Sequence, residues 1–204
     1  MSEDAEKKKE LIRRAKEEFQ EKGFAGASLR SICNKAGVTT GAVYFFFKDK
    51  DGLFQAVVDG MLQKFWAALL SHVQEDFDED FSTYRRRKGD HDEISETLLN
   101  VLYDDYEISM LLLRKAAGSS YENVLDQVVT VLEGYYGRLA QKYADSRQGK
   151  KVDQYMLRYL THVQVDGFVQ LLSQIPEKEE AKKHVNTLMD FLVDGWLSYV
   201  LTEE

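Results

Sequence analysis

Cysteine occurs once in the chain, at Cys33, and proline once, at Pro176. A lone cysteine excludes an intramolecular disulfide and carries no mark of an oxidising compartment, so the expected location is cytoplasmic. Alternation of β-branched or aromatic residues with polar ones is missing between turn signals, so nothing reads as a strand. No apolar run approaches about 18 residues without a charge, and the start, Met1 to Lys9, lacks an apolar stretch of signal-peptide length. Neither a membrane span nor a targeting segment is expected. The four histidines, His72, His91, His162 and His184, form no HExxH pair, and none follows a glutamate by three residues as a di-iron bundle requires. A phosphate-cradling glycine loop and a nucleophile elbow are also missing. The sequence therefore points to no catalytic group, no metal and no cofactor. Internal repeats and low-complexity segments are absent as well.

What remains is a 204-residue chain with 44% hydrophobic and 30% charged residues, which separates it from disordered chains and leaves room for a sizeable core. The net charge of -8 argues against nucleic acid until its distribution is considered. Residues 1–52 carry 11 Lys and Arg against 9 Asp and Glu, whereas residues 53–204 carry 16 against 26. The acid lies away from the N-terminal segment. That asymmetry suggests two tasks, one facing an anion and one not.

Apolar periodicity and stop signals predict an all-α chain. A first helix spans residues 4–22, with Leu11, Ile12, Ala15 and Phe19 on one face and Gly23 as its stop. Ser28 caps a short second helix that ends at Gly37, and Thr39 caps a third that reaches Phe46. Asp49 or Asp51 opens a long fourth helix through Phe65, Trp66 and Leu70 toward Gln74. A polar break covers 76–92. Helices follow over 93–117, interrupted near Asp104 and Asp105 and closed by Gly118. Ser119 with Glu122 reads as a capping box for a helix reaching Ala144. Residues 145–151 are a loop, and two long helices, 152–174 and 177–202, finish the chain with Pro176 in a first-turn position.

Gly37 at the turn between two short helices defines a helix-turn-helix. Ile32, Ala36, Val38 and Val43 take the positions that pack its helices together, and Cys33 is the small residue that lets them cross. Cys33 is thus structural rather than a redox or metal thiol. Facing outward on the third helix are Thr39, Thr40, Gly41, Ala42, Tyr44 and Phe45. Small and hydrogen-bonding groups come first and aromatics beyond, as suits a helix whose N-terminal end enters a major groove. Lys48 and Lys50 follow directly and are placed for phosphate.

At these residues the chain resembles the tetracycline-repressor (TetR) family of regulators. The stretch Ser28 to Phe54 is similar to that family's signature nearly throughout, and the resemblance reaches back over the first helix to Lys7. Beyond Val58 only length, helical plan and the two long terminal helices agree. By position the resemblance implies phosphate contacts for Ser28 and Tyr44, phosphate or nearby contacts for Lys48 and Lys50, and base contacts for Arg30, Thr40, Gly41 and Phe45. Phe46 stands where many members carry His, which removes one polar backbone contact and reinforces packing. The division implied is a helix-turn-helix DNA-binding domain over 1–52 and a helical ligand-binding and dimerisation domain over 53–204. The implied function is a ligand-responsive transcriptional regulator, more often a repressor than an activator, that binds a palindromic operator in double-stranded DNA as a dimer.

Other features bear on that expectation. The basic run Arg85 to Lys88 is flanked by acids on both sides and reads as a solvated loop. In the last two helices, Phe191, Leu192 and Val193 are apolar on adjacent positions, and Gly167 and Gly195 each sit inside a helix at a cost of roughly 1 kcal/mol relative to Ala. Both facts fit a homodimer through residues 152–202, built as a four-helix interface. Phe65, Trp66, Tyr103, Glu107, Tyr136 and His162 are the candidate contacts for an unidentified small-molecule effector within the bundle. The competing reading is a helical ligand-binding or adaptor protein without operator function, which leaves the signature of residues 28–54 unexplained.

Overall fold

A computed structural model describes residues 3–75 and 90–203, and the run Arg85 to Lys88 lies outside the described residues. Nine helices and one small sheet make up the described chain. They are α1 (Glu3–Gly26), α2 (Leu29–Ala36), α3 (Thr40–Phe47), α4 (Lys50–Glu75), α5 (Asp90–Asp104), α6 (Tyr106–Lys115), α7 (Val124–Asp145), α8 (Gln154–Gln174) and α9 (Lys178–Val200). Two strands, β1 (Lys150–Val152) and β2 (Leu201–Glu203), pair antiparallel, with Lys151 opposite Thr202. The fold class is all-α with this one addition. Three-residue strands about 50 positions apart offer no alternation to read, which is why the sequence places residues 145–151 in a loop.

Compactness divides the chain into two units: Met1–Phe65 with Leu102–Val124, and Trp66–Val101 with Leu125–Glu204. Residues 1–52 thus lie inside a larger unit that also takes the start of α4, all of α6 and the segment after it. The chain passes between the units three times, each time inside a helix: in α4, in α5 and at the first residue of α7.

In the first unit, α1, α2 and α3 close on a core of Leu11, Ala15, Phe19, Ile32, Cys33 and Val43, to which α4 adds Leu53, Phe54 and Val58. Phe19, Phe24 and Phe54 meet ring to ring, with centroids 5.0 to 5.9 Å apart. Gly23 breaks α1 with φ 68°, a left-handed conformation that L side chains rarely adopt, so the stop signal does its expected work. α6 is capped by Asp105, which accepts from the Ile108 N–H at 3.2 Å. It is anchored to α1 by the Lys16–Asp105 ion pair at 2.9 Å and by a hydrogen bond from Gln20 Nε2 to Glu107 at 2.9 Å. Lys115 donates to the Gln20 carbonyl.

The Ser119–Glu122 pair does not start a helix. Ser119 Oγ accepts from the Tyr121 N–H at 3.1 Å and donates to the Ala116 carbonyl at 2.7 Å, while Glu122 accepts from the Gly118 N–H at 3.0 Å. These bonds hold a run of turns, and α7 begins only at Val124. The turn is tied down by Asp51 in α4, which accepts from the Ser120 N–H at 2.8 Å, and by the Tyr121 ring 6.1 Å from Phe54.

In the second unit, Ala140, Leu157 and Val200 form a buried cluster with Tyr136, Val152, Leu160 and Trp196 packed against it. Asp153 caps α8 by accepting from the Tyr155 and Met156 N–H groups, both at 3.0 Å. Pro176 precedes the cap of α9, Glu177, rather than standing in its first turn. Glu179 and Glu180 fall in that turn, where the positive helix end favours them. At the other end of the unit, Lys150 pairs with Glu203 across the strands.

Candidate nucleic-acid interface

The site is built on α2 and α3. Ser28 caps α2 through the Ser31 N–H at 3.4 Å, and Gly37 ends the helix in the left-handed conformation with φ 68°. Ile32, Cys33 and Val43 are buried between the helices, and Ala36 and Val38 are half-buried at the turn. Burial pushes the Cys33 thiol pKa up, which keeps it protonated and inert.

A buried carboxylate, which the sequence reading passed over, locks α2 onto α1. Glu18 in α1 is fully buried, and its oxygens accept from Lys22 Nζ at 2.6 Å, Lys35 Nζ at 2.8 Å and Ser31 Oγ at 2.9 Å. Hydrogen bonds from Lys22 and Lys35 hold its pKa down at about 2. Position 18 lies three and seven residues after Ala15 and Leu11, on the apolar face of α1. That spacing was the available signal, hidden by the many Lys and Glu residues around it.

The turn from α3 to α4 is similarly constrained. Lys48 takes φ 74°, and Asp49 accepts from the Gly52 N–H at 2.8 Å as the cap of α4. A Cβ on Gly52 would fall 1.9 Å from the Phe47 carbonyl oxygen, so only glycine fits there.

Of the expected DNA contacts, Ser28, Arg30, Thr39, Thr40, Gly41, Tyr44, Phe45 and Lys48 are all exposed. Tyr44 and Phe45 stand out at 61% and 77% exposure on a helix whose opposite side, Val43 and Phe47, is buried. Lys50 is placed differently. Its ammonium donates to the Ala25 carbonyl at 3.3 Å and lies 4.6 Å from the centre of the Phe24 ring, half-buried, and this desolvation lowers its pKa. Phe46 is half-buried and packs its ring edgewise on Phe45 and Phe47, at 4.9 and 6.2 Å.

The candidate effector contacts fall in both units. Phe65, Tyr103 and Glu107 belong to the first, and Trp66, Tyr136 and His162 to the second. Glu107 is exposed and engaged by Gln20, and Tyr103 stacks on Tyr106 at 5.1 Å. Tyr136 accepts from Gln164 Nε2 at 2.8 Å and packs 5.4 Å from the Trp196 ring, and its burial raises the phenol pKa to about 12. Beside it the Trp196 indole N–H is buried without a hydrogen-bond partner. Gln164 and Trp196 both adjoin Tyr136 inside this unit.

A short capped helix turning through a left-handed glycine into an exposed second helix, both seated on a third, defines an all-α protein with an N-terminal helix-turn-helix. Residues 11–57 match the family described as bacterial regulatory proteins, tetR family. The chain is 36% identical over 63 residues to the transcriptional regulator BetI of Burkholderia thailandensis, covering 31% of this chain and 32% of that protein. It is 31% identical over 108 residues to BetI of Burkholderia mallei, covering 52% and 48%. The alignments thus span a third to a half of these relatives' own length. A transcriptional regulator from Aquifex aeolicus shares the fold over 91% of this chain and 99% of its own, with a TM-score of 0.60 at 20% identity. The family match thus covers the helix-turn-helix segment, and the structural match shows the fold of the whole chain.

Proposed function

We propose that the protein is a DNA-binding transcriptional regulator that grips a palindromic operator as a homodimer, represses from it, and answers to a small-molecule effector. The observation that carries this reading is the exposed face of α3. Thr40, Gly41, Tyr44 and Phe45 point away from a core that buries Val43 and Phe47, and a lone core-packing helix has no use for such a face. Arg30 and Lys48 flank it with exposed positive charge, Lys48 placed for phosphate. Dimerisation through residues 152–202 is supported by exposed aromatics on α8 and α9, namely Tyr155, Tyr159, Phe191 and Tyr199. Within one chain neither helix glycine is required: a Cβ on Gly167 would meet Leu188 at 3.5 Å and one on Gly195 would meet Tyr199 at 3.7 Å, both ordinary contacts.

Selection from a random duplex pool tests the reading. The expected product is an inverted repeat whose half-sites lie about 34 Å, or a multiple of it, apart along the duplex. A pool that shows no enrichment at low salt returns the chain to the adaptor class.

A further inference from the structure

The side chains of α3 are unusual for a helix that reads bases. Its sequence, Thr-Gly-Ala-Val-Tyr-Phe-Phe-Phe, holds no charged and no amide group. Arg or Lys on guanine, Asn or Gln on adenine, and Asp or Glu on cytosine, the strong direct contacts of the major groove, are therefore all unavailable from this helix. What it exposes is the Thr40 methyl and hydroxyl, the bare backbone of Gly41, and the Tyr44 and Phe45 rings. The one apolar base group in the major groove is the thymine C5-methyl.

Two further observations point the same way. The Phe45 ring is 77% exposed, with the Phe46 ring edgewise 4.9 Å away at 75°, so it offers a large apolar surface to an outside partner. Gly41 is not demanded by the fold, because a Cβ there would meet only Thr39 Oγ1, at 3.5 Å. A glycine inside a helix that the fold does not need fits a backbone that approaches something outside the protein closely.

We propose that α3 reads its half-site through thymine methyl groups, with Phe45 as the principal specificity-determining residue and Gly41 giving the approach. This rests on the operator function proposed above. Arg30, on α2, is the guanidinium left to read a guanine, so the half-site should be a thymine-rich core with guanine only toward the α2 side.

The test starts from the duplex enriched in the selection and replaces thymine by deoxyuridine one position at a time, which deletes the methyl and leaves pairing intact. At each contacted thymine the expected loss is about fourfold, the value of one buried methyl group. Phe45→Ala should weaken binding roughly tenfold or more and reduce the deoxyuridine penalty to within about twofold. Gly41→Ala should keep or raise the melting temperature while weakening binding. An enriched operator that tolerates uracil at every position overturns methyl reading and leaves the regulator intact. A uracil penalty unchanged in Phe45→Ala, with thermal unfolding like wild type, removes Phe45 as the reader. If no duplex is enriched, the operator function itself fails and the proposal goes with it.

Discussion

Glu18 shows how one buried charge sets the pose of the helix-turn-helix on α1. Its three donors come from two helices, so removing the carboxylate takes away the polar tie between α1 and α2 and strands Ser31, while their apolar contact stays. Lys22 and Lys35 are about 40% exposed and can rehydrate, which makes the loss smaller than for a fully buried pair. Glu18→Gln should lower stability by about 1–3 kcal/mol, the worth of hydrogen bonds to a charged group, as read by urea unfolding. The pH dependence has a definite sign. In the fold the carboxylate stays ionised down to about 2, against an ordinary glutamate value of 4.5. Its stabilisation is complete above the unfolded value and drains as pH falls from there toward about 2. A Glu18→Gln variant whose acid unfolding curve between those limits matches wild type would show the carboxylate to be idle. The two lysines of the α3–α4 turn separate by the same reasoning. Lys48 is exposed, whereas Lys50 serves the fold at Ala25 and Phe24. Lys48→Ala should cut the slope of log affinity against log salt by about 1, and Lys50→Ala should lower stability while leaving the slope nearly unchanged. Equal slopes in wild type and Lys48→Ala would remove Lys48 from the phosphate contacts.

Among the elements, α6 is the one whose role changes most between sequence and structure. Periodicity finds it and Asp105 marks its start, but no local signal says that it packs on α1, because Lys16, Gln20, Asp105 and Glu107 are polar residues nearly 90 positions apart. Asp105 does two jobs, capping α6 and pairing with Lys16, and these can be divided. Asp105→Ala should cost about 1–2 kcal/mol by losing the cap and the ion pair, and Asp105→Asn should recover most of it because Asn also caps well. Thermal unfolding in which the Asn variant is as unstable as the Ala variant would make the ion pair dominant. The contrast runs through the chain. Residues 28–54 were legible because their signals are local: Ser28 as a cap, Gly37 in the left-handed region, and alternate burial of Ile32 and Val43 beside exposed Tyr44 and Phe45. The Ser119–Glu122 pair misled because the same hydrogen bonds that open a helix also close a turn. Lys50 misled because sequence spacing puts it beside Lys48, while the turn in which Lys48 takes a positive φ aims the two ammonium groups differently. Effector contacts were the least legible, since aromatics at helical spacing fill cores and pockets alike, and Glu107 went instead to the surface beside α1.

On the scale of the whole molecule, the exposed aromatics of α8 and α9 and the passage of the chain between its two units have to be explained together. Tyr155 and Tyr159 stack in parallel at 6.3 Å along one face of α8, and Phe191 is 75% exposed on α9. A dimer at micromolar concentration is the expectation, and Tyr159→Glu with Phe191→Lys should convert it to monomer in sedimentation without loss of helical signal. These positions suit the test because they are exposed; Trp196, packed on Tyr136, would unfold the chain instead. A wild-type protein that sediments as a monomer would remove the palindromic operator along with the dimer. The proposed effector control would run through the helices shared by the two units. The helix carrying Asp51 and Phe54 in the first unit continues past Trp66 into the second, and α5 passes in the same way from the second unit to the first. A ligand bound beside Tyr136 and His162 that prefers one course of these helices biases the unit carrying α3 by its difference in affinity for the two states, and by no more. Because half-site spacing is fixed in the DNA, a shift of a few Å in each subunit is enough to break the match. The expected coupling is about 1–3 kcal/mol, a 5- to 150-fold change in operator affinity. A ligand found by thermal shift should produce that change in wild type and lose both its thermal shift and its effect on DNA in Tyr136→Phe or His162→Ala. If a saturating ligand of this unit leaves operator affinity unchanged, the two units act independently, and the protein binds DNA without being switched.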